Sequence, residues 1–212
     1  MRNPWEEISL ETYENHMRLD SVRQLQMLNT IMQAQLAAYP AEHVMIFGAA
    51  GGNGLEHIRR ERHRTVCCVD INADYLHAAA ERYAEFADVL QFLHLDLTAD
   101  AEKLPKTDLV IADLLIEYIG CPAFQKAVLR AAPESVSCVI QINTDAEQWV
   151  SDSPYLHAFD GLDRIHHQMD PRTLTAAMQA IGYAANLQET HPLPNGKALV
   201  RLDYRRMSAC SQ

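Results

Sequence analysis

The chain has 212 residues, is 48% hydrophobic and carries 28 acidic against 18 basic side chains, a formal charge of −10. That length suits one domain with a core large enough to need no cross-links. The acidic balance disfavours nucleic acid, whose binders supply Lys and Arg to phosphates, and no run of about 18 apolar residues offers a membrane span.

The start, MRNPWEEISLETYENH, is polar and lacks the apolar stretch of a signal peptide. Trp5, Ile8, Leu10, Tyr13, Met17 and Leu19 predict short helices. Asp20 is expected to cap a second helix over 21–38, where Val22, Leu25, Leu28, Ile31, Met32 and Leu36 recur at helical spacing before Pro40. VMIF (44–47) reads as a first strand and GAAGGNG (48–54) as a glycine-rich turn. LEHIRRERH is the helix expected after it. TVCCVD (65–70), LQFLHLD (90–96), TDLVIADLL (107–115) and VSCVIQIN (136–143) read as strands two to five. Helices are expected at 72–87 and 122–132, the latter with Pro122 in its first turn. Residues 144–170 are irregular, 171–182 return to helix, and 183–190 and 197–205 form strands around an Asn195–Gly196 turn. Alternating strands and helices predict a parallel sheet covered on both faces, ending in an antiparallel hairpin.

Five cysteines with no CxxC pair speak against a disulfide framework or a cysteine zinc site. Cys67 and Cys68 lie in an apolar run and read as small hydrophobes. A reducing, cytoplasmic compartment is expected. The basic run RRERHR (59–64) reads as a solvated end of the first crossover helix, where cations complement the helix dipole.

The chemistry concentrates at the first turn. Gly48, Gly51, Gly52 and Gly54 follow a strand directly, where glycine permits positive φ and close approach of a ligand. Asp70 ends the second strand 22 residues after Gly48, about the distance at which an acid meets a ribose hydroxyl pair. The competing reading has Asp70 capping the next helix. A nucleoside-containing cofactor follows, either a nicotinamide dinucleotide or S-adenosylmethionine. No Tyr-x-x-x-Lys pair is present for a short-chain dehydrogenase, and forty helical residues precede the motif strand.

From about Val44 to Tyr204 the chain resembles the class I S-adenosylmethionine-dependent methyltransferases. VMIFGAAGGNG is similar to their motif I, VDIN (69–72) to motif II, HLDLT (94–98) to the motif after the third strand, and DLVIADLLIEYIG (108–120) to motif IV. The resemblance implies a seven-stranded Rossmann-like sheet of order 3-2-1-4-5-7-6 with its last strand antiparallel. It also implies an N-terminal helical lid (1–40) over the methyltransferase domain (41–212), in one structural domain. Gly48, Ala49, Ala50, Gly52 and Asn53 would cradle the cofactor. Asp70 and Ile71 would meet the ribose, Asp96 the adenine amino group and Leu97 the adenine ring. Two positions depart from the pattern: Ile46 stands where an acid is common, and Ala50 replaces the middle glycine. Asp113 or the N-terminal segment would then supply the missing ammonium contact.

The implied reaction is methyl transfer to a small-molecule acceptor, governed by orientation and helped by a base. Glu117 and Tyr118 are the catalytic candidates. Their alternative reading is a solvated acid beside a packed tyrosine. Tyr13 and His16 are the lid candidates for substrate contact. His157, His166 and His167 invite a metal reading, but adjacent histidines face apart, and Asn143-Thr144-Asp145 does not match the Asp-Asn pair after strand 5 of the metal-dependent branch, so no metal is expected. Trp149, Tyr155 and Phe159 would line an acceptor cap or pack on the sheet. The alternatives are a non-catalytic S-adenosylmethionine-binding protein, methylation of a protein or RNA, and a nicotinamide-dependent reductase. Oligomeric state is not readable from the sequence.

Overall fold

A computed structural model describes residues 3–143 and 149–208. Seven strands occur in chain order: β1 (His43–Phe47), β2 (Thr65–Asp70), β3 (Leu90–His94), β4 (Leu109–Asp113), β5 (Ser135–Ile142), β6 (Tyr183–Pro192) and β7 (Ala198–Arg206). They form one sheet of order β3-β2-β1-β4-β5-β7-β6, as the sequence predicts. β1 lies between parallel β2 and β4, with Ile46 opposite both Cys68 and Ile111. β7 runs antiparallel between β5 and β6.

Alternate residues of each strand face opposite sides, which produces two cores. Met45, Phe47, Cys67, Val69, Val110 and Ala112 pack on one side against Phe124 and Val128 of α4 (Ile116–Ala131) and Leu174 and Met178 of α5 (Pro171–Ala180). Val44, Ile46, Val66, Cys68, Leu109 and Ile111 pack on the other side. There they meet Met32 and Leu36 of α2 (Gln24–Ala38) and Leu76 of α3 (Ala73–Arg82). Burial from both sides explains the unbroken apolar runs of β2 and β4.

Helix starts follow their side chains. Ser9 caps α1 (Leu10–Arg18), accepting from Thr12 N at 3.1 Å. Asn72 caps α3, accepting from Asp74 and Tyr75 N–H groups. Asp170 caps α5, with Pro171 at its first turn.

Five expectations are overturned. LEHIRRERH is not an α-helix: a single 3₁₀ turn spans Leu55–His57, and the chain then turns straight into β2. The reason is space. Met32 of α2 lies so close that a Cβ on Gly54 would sit 2.5 Å from its Cγ, and Leu55 and Ile58 join the α2 side of the core. The N-terminal helix thus covers the face that a crossover helix would need. RRERHR accordingly lies at no helix end: Arg60 pairs with Asp88 at 3.1 Å, and His63 is buried, accepting at Nδ1 from Arg59 N–H. Asp20 does not cap α2, which starts at Gln24 after Arg23 takes φ 52°, with no side-chain cap. The 72–87 helix stops at Arg82, and Ala84–Phe86 continue as a 3₁₀ turn. The fourth helix begins early, at Ile116, because a kink at Gly120 (φ 72°, ψ 160°) joins a first turn to the segment that Pro122 opens.

The N-terminal segment is tied down at the C-terminal ends of the strands. Tyr75 Oη donates to the Ile8 carbonyl and Asn72 Nδ2 to the Trp5 carbonyl, each at 2.9 Å. Arg82 binds Glu14 at 2.7 and 3.1 Å and the Gly51 carbonyl at 2.9 Å.

Candidate active site

A cleft of about 700 Å³, counted out to its mouth, opens at the carboxyl ends of β1, β2 and β4. Ligands of open α/β sheets bind in this position. Gly48, Ala50, Asp70, Ile71, Asp96, Leu97 and Asp113 all line it, with Trp5, Tyr13 and Tyr75 closing it from the N-terminal segment and α3. Ala49, Gly52 and Asn53 line a separate cavity behind the turn instead, together with Glu14. Asn53 is turned away, donating to the Leu25 carbonyl at 2.9 Å and accepting from Asn29.

The turn itself shows why its residues are small. Gly48 takes φ 70°, and a Cβ there would lie 3.2 Å from Leu115. Ala50 takes φ 45°, a left-handed backbone that costs a non-glycine residue on the order of 1 kcal/mol. Its N–H donates to Asp70 Oδ2 at 2.8 Å, which helps hold that geometry. Asp70 Oδ1 accepts from Asn72 N at 2.9 Å. Burial pushes the Asp70 carboxyl up, and these backbone donors oppose the shift. Asp70 therefore does not cap α3; Asn72 does. Asp96 Oδ1 accepts from the Thr98 N–H and hydroxyl, and Leu97 is buried beside it.

Asp113 reaches both the cleft and the cavity behind the turn. Gln35 donates to its Oδ1 at 2.8 Å, while its Oδ2 is buried with no partner among the described residues. Burial raises its carboxyl to about 7, against the lowering influence of Gln35 and Arg201. A buried, half-satisfied carboxyl costs stability unless a ligand completes it.

A second cavity, of about 550 Å³ counted to its mouth, adjoins the first. Trp5, Tyr13, Leu114 and Tyr118 line both and form the partition. Tyr118 meets Trp5 edge-on at 4.9 Å, and Tyr13 meets Trp5 at 5.7 Å. Glu117, His16, Trp149, Phe159 and His166 line only the second cavity. Glu117 is buried: its Oε1 accepts from Gln141 N at 2.7 Å, and its Oε2 has no partner among the described residues. Burial lifts its carboxyl to about 7. His16 Nδ1 hydrogen-bonds Ser153 Oγ at 2.8 Å, and burial with the Lys197 charge holds the ring down at about 4. His16 is thus a neutral imidazole.

The three cap histidines do not converge. His157 faces Asp160 at 3.3 Å, His166 stacks on Trp149 at 4.0 Å, and the His167 N–H donates to the Glu117 carbonyl. No group of three His, Cys, Asp or Glu among the described residues is placed to hold a metal ion. Asp145 lies outside the described residues. Phe159 packs with Ile8 and Leu162, and Tyr155 lies half-buried against that cluster. The sequence reading missed Trp5, Gln35 and Gln141 as site residues, as well as the Glu14–Arg82 brace over Gly51. Glu14 lies four residues before Arg18 on α1, a spacing that resembles a solvated pair, so only the fold reveals its second partner.

No protein-family model and no curated protein sequence matches the chain. Solved structures match it throughout. Magnesium protoporphyrin IX methyltransferase from Synechocystis PCC 6803 superposes with a TM-score of 0.63 at 14% identity, over 86% of this chain and 83% of that one. The N-methyltransferase NodS from Bradyrhizobium japonicum, with bound S-adenosylhomocysteine, gives 0.65 at 11% identity, over 98% and 100%. The chain has the class I methyltransferase fold. The cyclase SpnF shares this fold at a TM-score of 0.65, 11% identity and 91% and 85% coverage. A methyltransferase fold therefore does not by itself fix the reaction, which has to be argued from the site.

Proposed function

We propose that the chain transfers a methyl group from S-adenosylmethionine to a small-molecule acceptor. The observation that carries this reading is the pair of acids ending the two strands on either side of β1, in one cleft. Asp70 and Asp113 flank the glycine turn, and Asp113 keeps a buried oxygen without a partner among the described residues. The donor set fits the cofactor. Asp70 would take the ribose hydroxyls, Asp96 and Leu97 the adenine, and Asp113 the ammonium of the methionine end. Asp113 would thereby replace the acid absent at Ile46. Bound there, S-adenosylmethionine supplies an electrophilic methyl on a sulfonium.

The chain's own part is to position, to exclude water and to move a proton. Trp5 and Tyr13 wall both cavities, so the N-terminal segment acts as a lid over cofactor and acceptor together. Glu117, raised to about 7, is poised near neutral pH to take a proton from an acceptor. Tyr118, whose hydroxyl burial pushes up, stays protonated and serves as a wall and hydrogen-bond donor. The small acceptor of the protoporphyrin methyltransferase supports a small acceptor here, and the net charge of −10 argues against RNA.

Calorimetric titration with S-adenosylmethionine, S-adenosylhomocysteine and NAD tests the reading. Micromolar binding of the two sulfur nucleosides, without NAD, is expected. NAD binding in their place would overturn it. A second reading, a cofactor-binding protein without turnover, is favoured only by Ile46. Tight binding with no methylated product over a broad acceptor panel would select it.

A further inference from the structure

We infer that the second cavity takes a small cationic amine as the methyl acceptor, its ammonium held against Glu117 within an aromatic cage. The inference rests on the proposed methyl transfer and adds the chemical class of the acceptor. Three observations carry it. The first is the carboxyl: Glu117 Oε2 is buried in the cavity wall with no partner among the described residues, a site for one more donor. The second is the wall. Trp149 stacks on His166 at 4.0 Å, and Tyr118 presents an edge-on contact to Trp149 at 6.1 Å. Trp5 and Phe159 complete the enclosure. Aromatic faces attract a desolvated cation. The Trp149 indole N–H donates to Asp163 at 2.9 Å, which fixes that ring at its edge.

The third observation is the charge balance. No Lys or Arg among the described residues lines this cavity, so an anionic acceptor would meet no cation in its wall and would face Glu117. Lys197, whose charge acts on His16 and His166 from behind the wall, donates its Nζ to the Trp149 carbonyl. His16 and His166 both have lowered affinity for protons and bring no fixed charge. The lid residues Trp5, Tyr13 and His16 and the Trp149–Leu162 side line the space from opposite sides.

The proton accounting is simple. The substrate ammonium gives one proton to the Glu117 carboxylate, the nitrogen keeps its electron pair, and Glu117 becomes a neutral carboxylic acid. Burial brings Glu117 closer to an ammonium in proton affinity than an exposed glutamate is. The freed lone pair would form the new N–C bond as the methyl's bond to sulfur breaks with its electrons left on sulfur, giving a methylated ammonium and S-adenosylhomocysteine. Glu117 later returns its proton to solvent.

The test is calorimetry on the full chain at about pH 8, above the Glu117 range. Benzylammonium, benzyl alcohol and benzoate serve as probes of one shape and three charges. They are titrated with and without S-adenosylhomocysteine. Benzylammonium is expected to bind about tenfold or more tightly than the alcohol, and benzoate not to bind. Glu117→Gln, which keeps an acceptor for the Gln141 N–H, is expected to abolish the ammonium preference and leave alcohol binding within about twofold. Trp149→Leu, away from that hydrogen bond, is expected to weaken ammonium binding several-fold. Benzoate binding as well as benzylammonium, no ammonium preference, or a preference that survives Glu117→Gln would each overturn the inference. Absence of S-adenosylhomocysteine binding in the same titrations would strike the methyl-transfer reading separately, because the probe preference is also read without it.

Discussion

The two cavities are built in different ways. The cleft at the strand ends draws on short local motifs: Gly48 and Ala50 on one turn, Asp70 and Ile71 ending β2, Asp96 and Leu97 just after β3, and Asp113 ending β4. The second cavity collects Trp5 and His16 from the N-terminal segment, Glu117 and Tyr118 from the first turn of α4, Gln141 from β5, and Trp149, Phe159 and His166 from the segment after it. A shared buried acid unites them. Asp113 in one and Glu117 in the other each keep an oxygen without a partner among the described residues and have carboxyls raised to about 7 by burial. The difference lies in what surrounds each acid. Asp113 faces a backbone turn and an amide, whereas Glu117 faces aromatic rings. The first arrangement suits a fixed cofactor, and the second suits an acceptor that varies.

Substitutions that separate the two acids would sharpen this comparison. The largest effect is expected from Glu117→Gln, which should lower turnover by about 100-fold in a methyl-transfer assay and leave S-adenosylhomocysteine affinity unchanged. Equal losses in both would merge the two cavities into one. Asp70→Ala should weaken S-adenosylhomocysteine binding by about 10- to 100-fold in calorimetry, since charge-assisted bonds to the ribose disappear. Asp113→Asn should weaken the same binding by about tenfold, through loss of the ammonium partner.

A pH series gives a subtler contrast. Glu117 and Asp113 have folded-state values raised above those of an unfolded carboxyl, so the native chain binds more protons between about 4.5 and 7. Their burial therefore costs stability progressively as pH rises through that window. The melting temperature without ligand should fall across it, and the fall should shrink in Glu117→Gln. A melting temperature that rises across the same window in the parent but not in the variant would contradict the assigned shift. The smallest effect is expected at the turn. Ala50→Gly should relieve the left-handed strain and raise stability by roughly 0.5–1 kcal/mol in urea titration.

The sheet was legible because period-two burial and apolar strand runs are local properties. TVCCVD and DLVIAD carry their identity within six residues. Asp70, Asp113 and the glycine turn were legible for the same reason, because each sits at the end of such a run. The helix after the turn was misread because LEHIRRERH is a sound helical pattern in isolation. Met32 and Leu36 of α2, some twenty residues earlier, already occupy that face of the sheet. The cap of α2 was misread at Asp20 because Arg23 sets the start with its backbone alone. The second cavity's lid and cap candidates His16, Trp149 and Phe159 were legible one by one, but not their arrangement, because His16 meets Ser153, and Glu117 meets Gln141, only across the folded chain. Glu117 and Tyr118 were found through their place after β4, and Trp5 carried no signal beyond its aromatic character.

The most direct test of two cavities with divided roles is a crystal structure with S-adenosylhomocysteine bound. The account predicts the nucleoside in the cleft lined by Asp70, Leu97 and Asp113. Its sulfur would then lie at the shared Leu114–Tyr118 boundary, facing a cavity still open at Glu117. A nucleoside seated instead beside Glu117, Trp149 and His166 would contradict it.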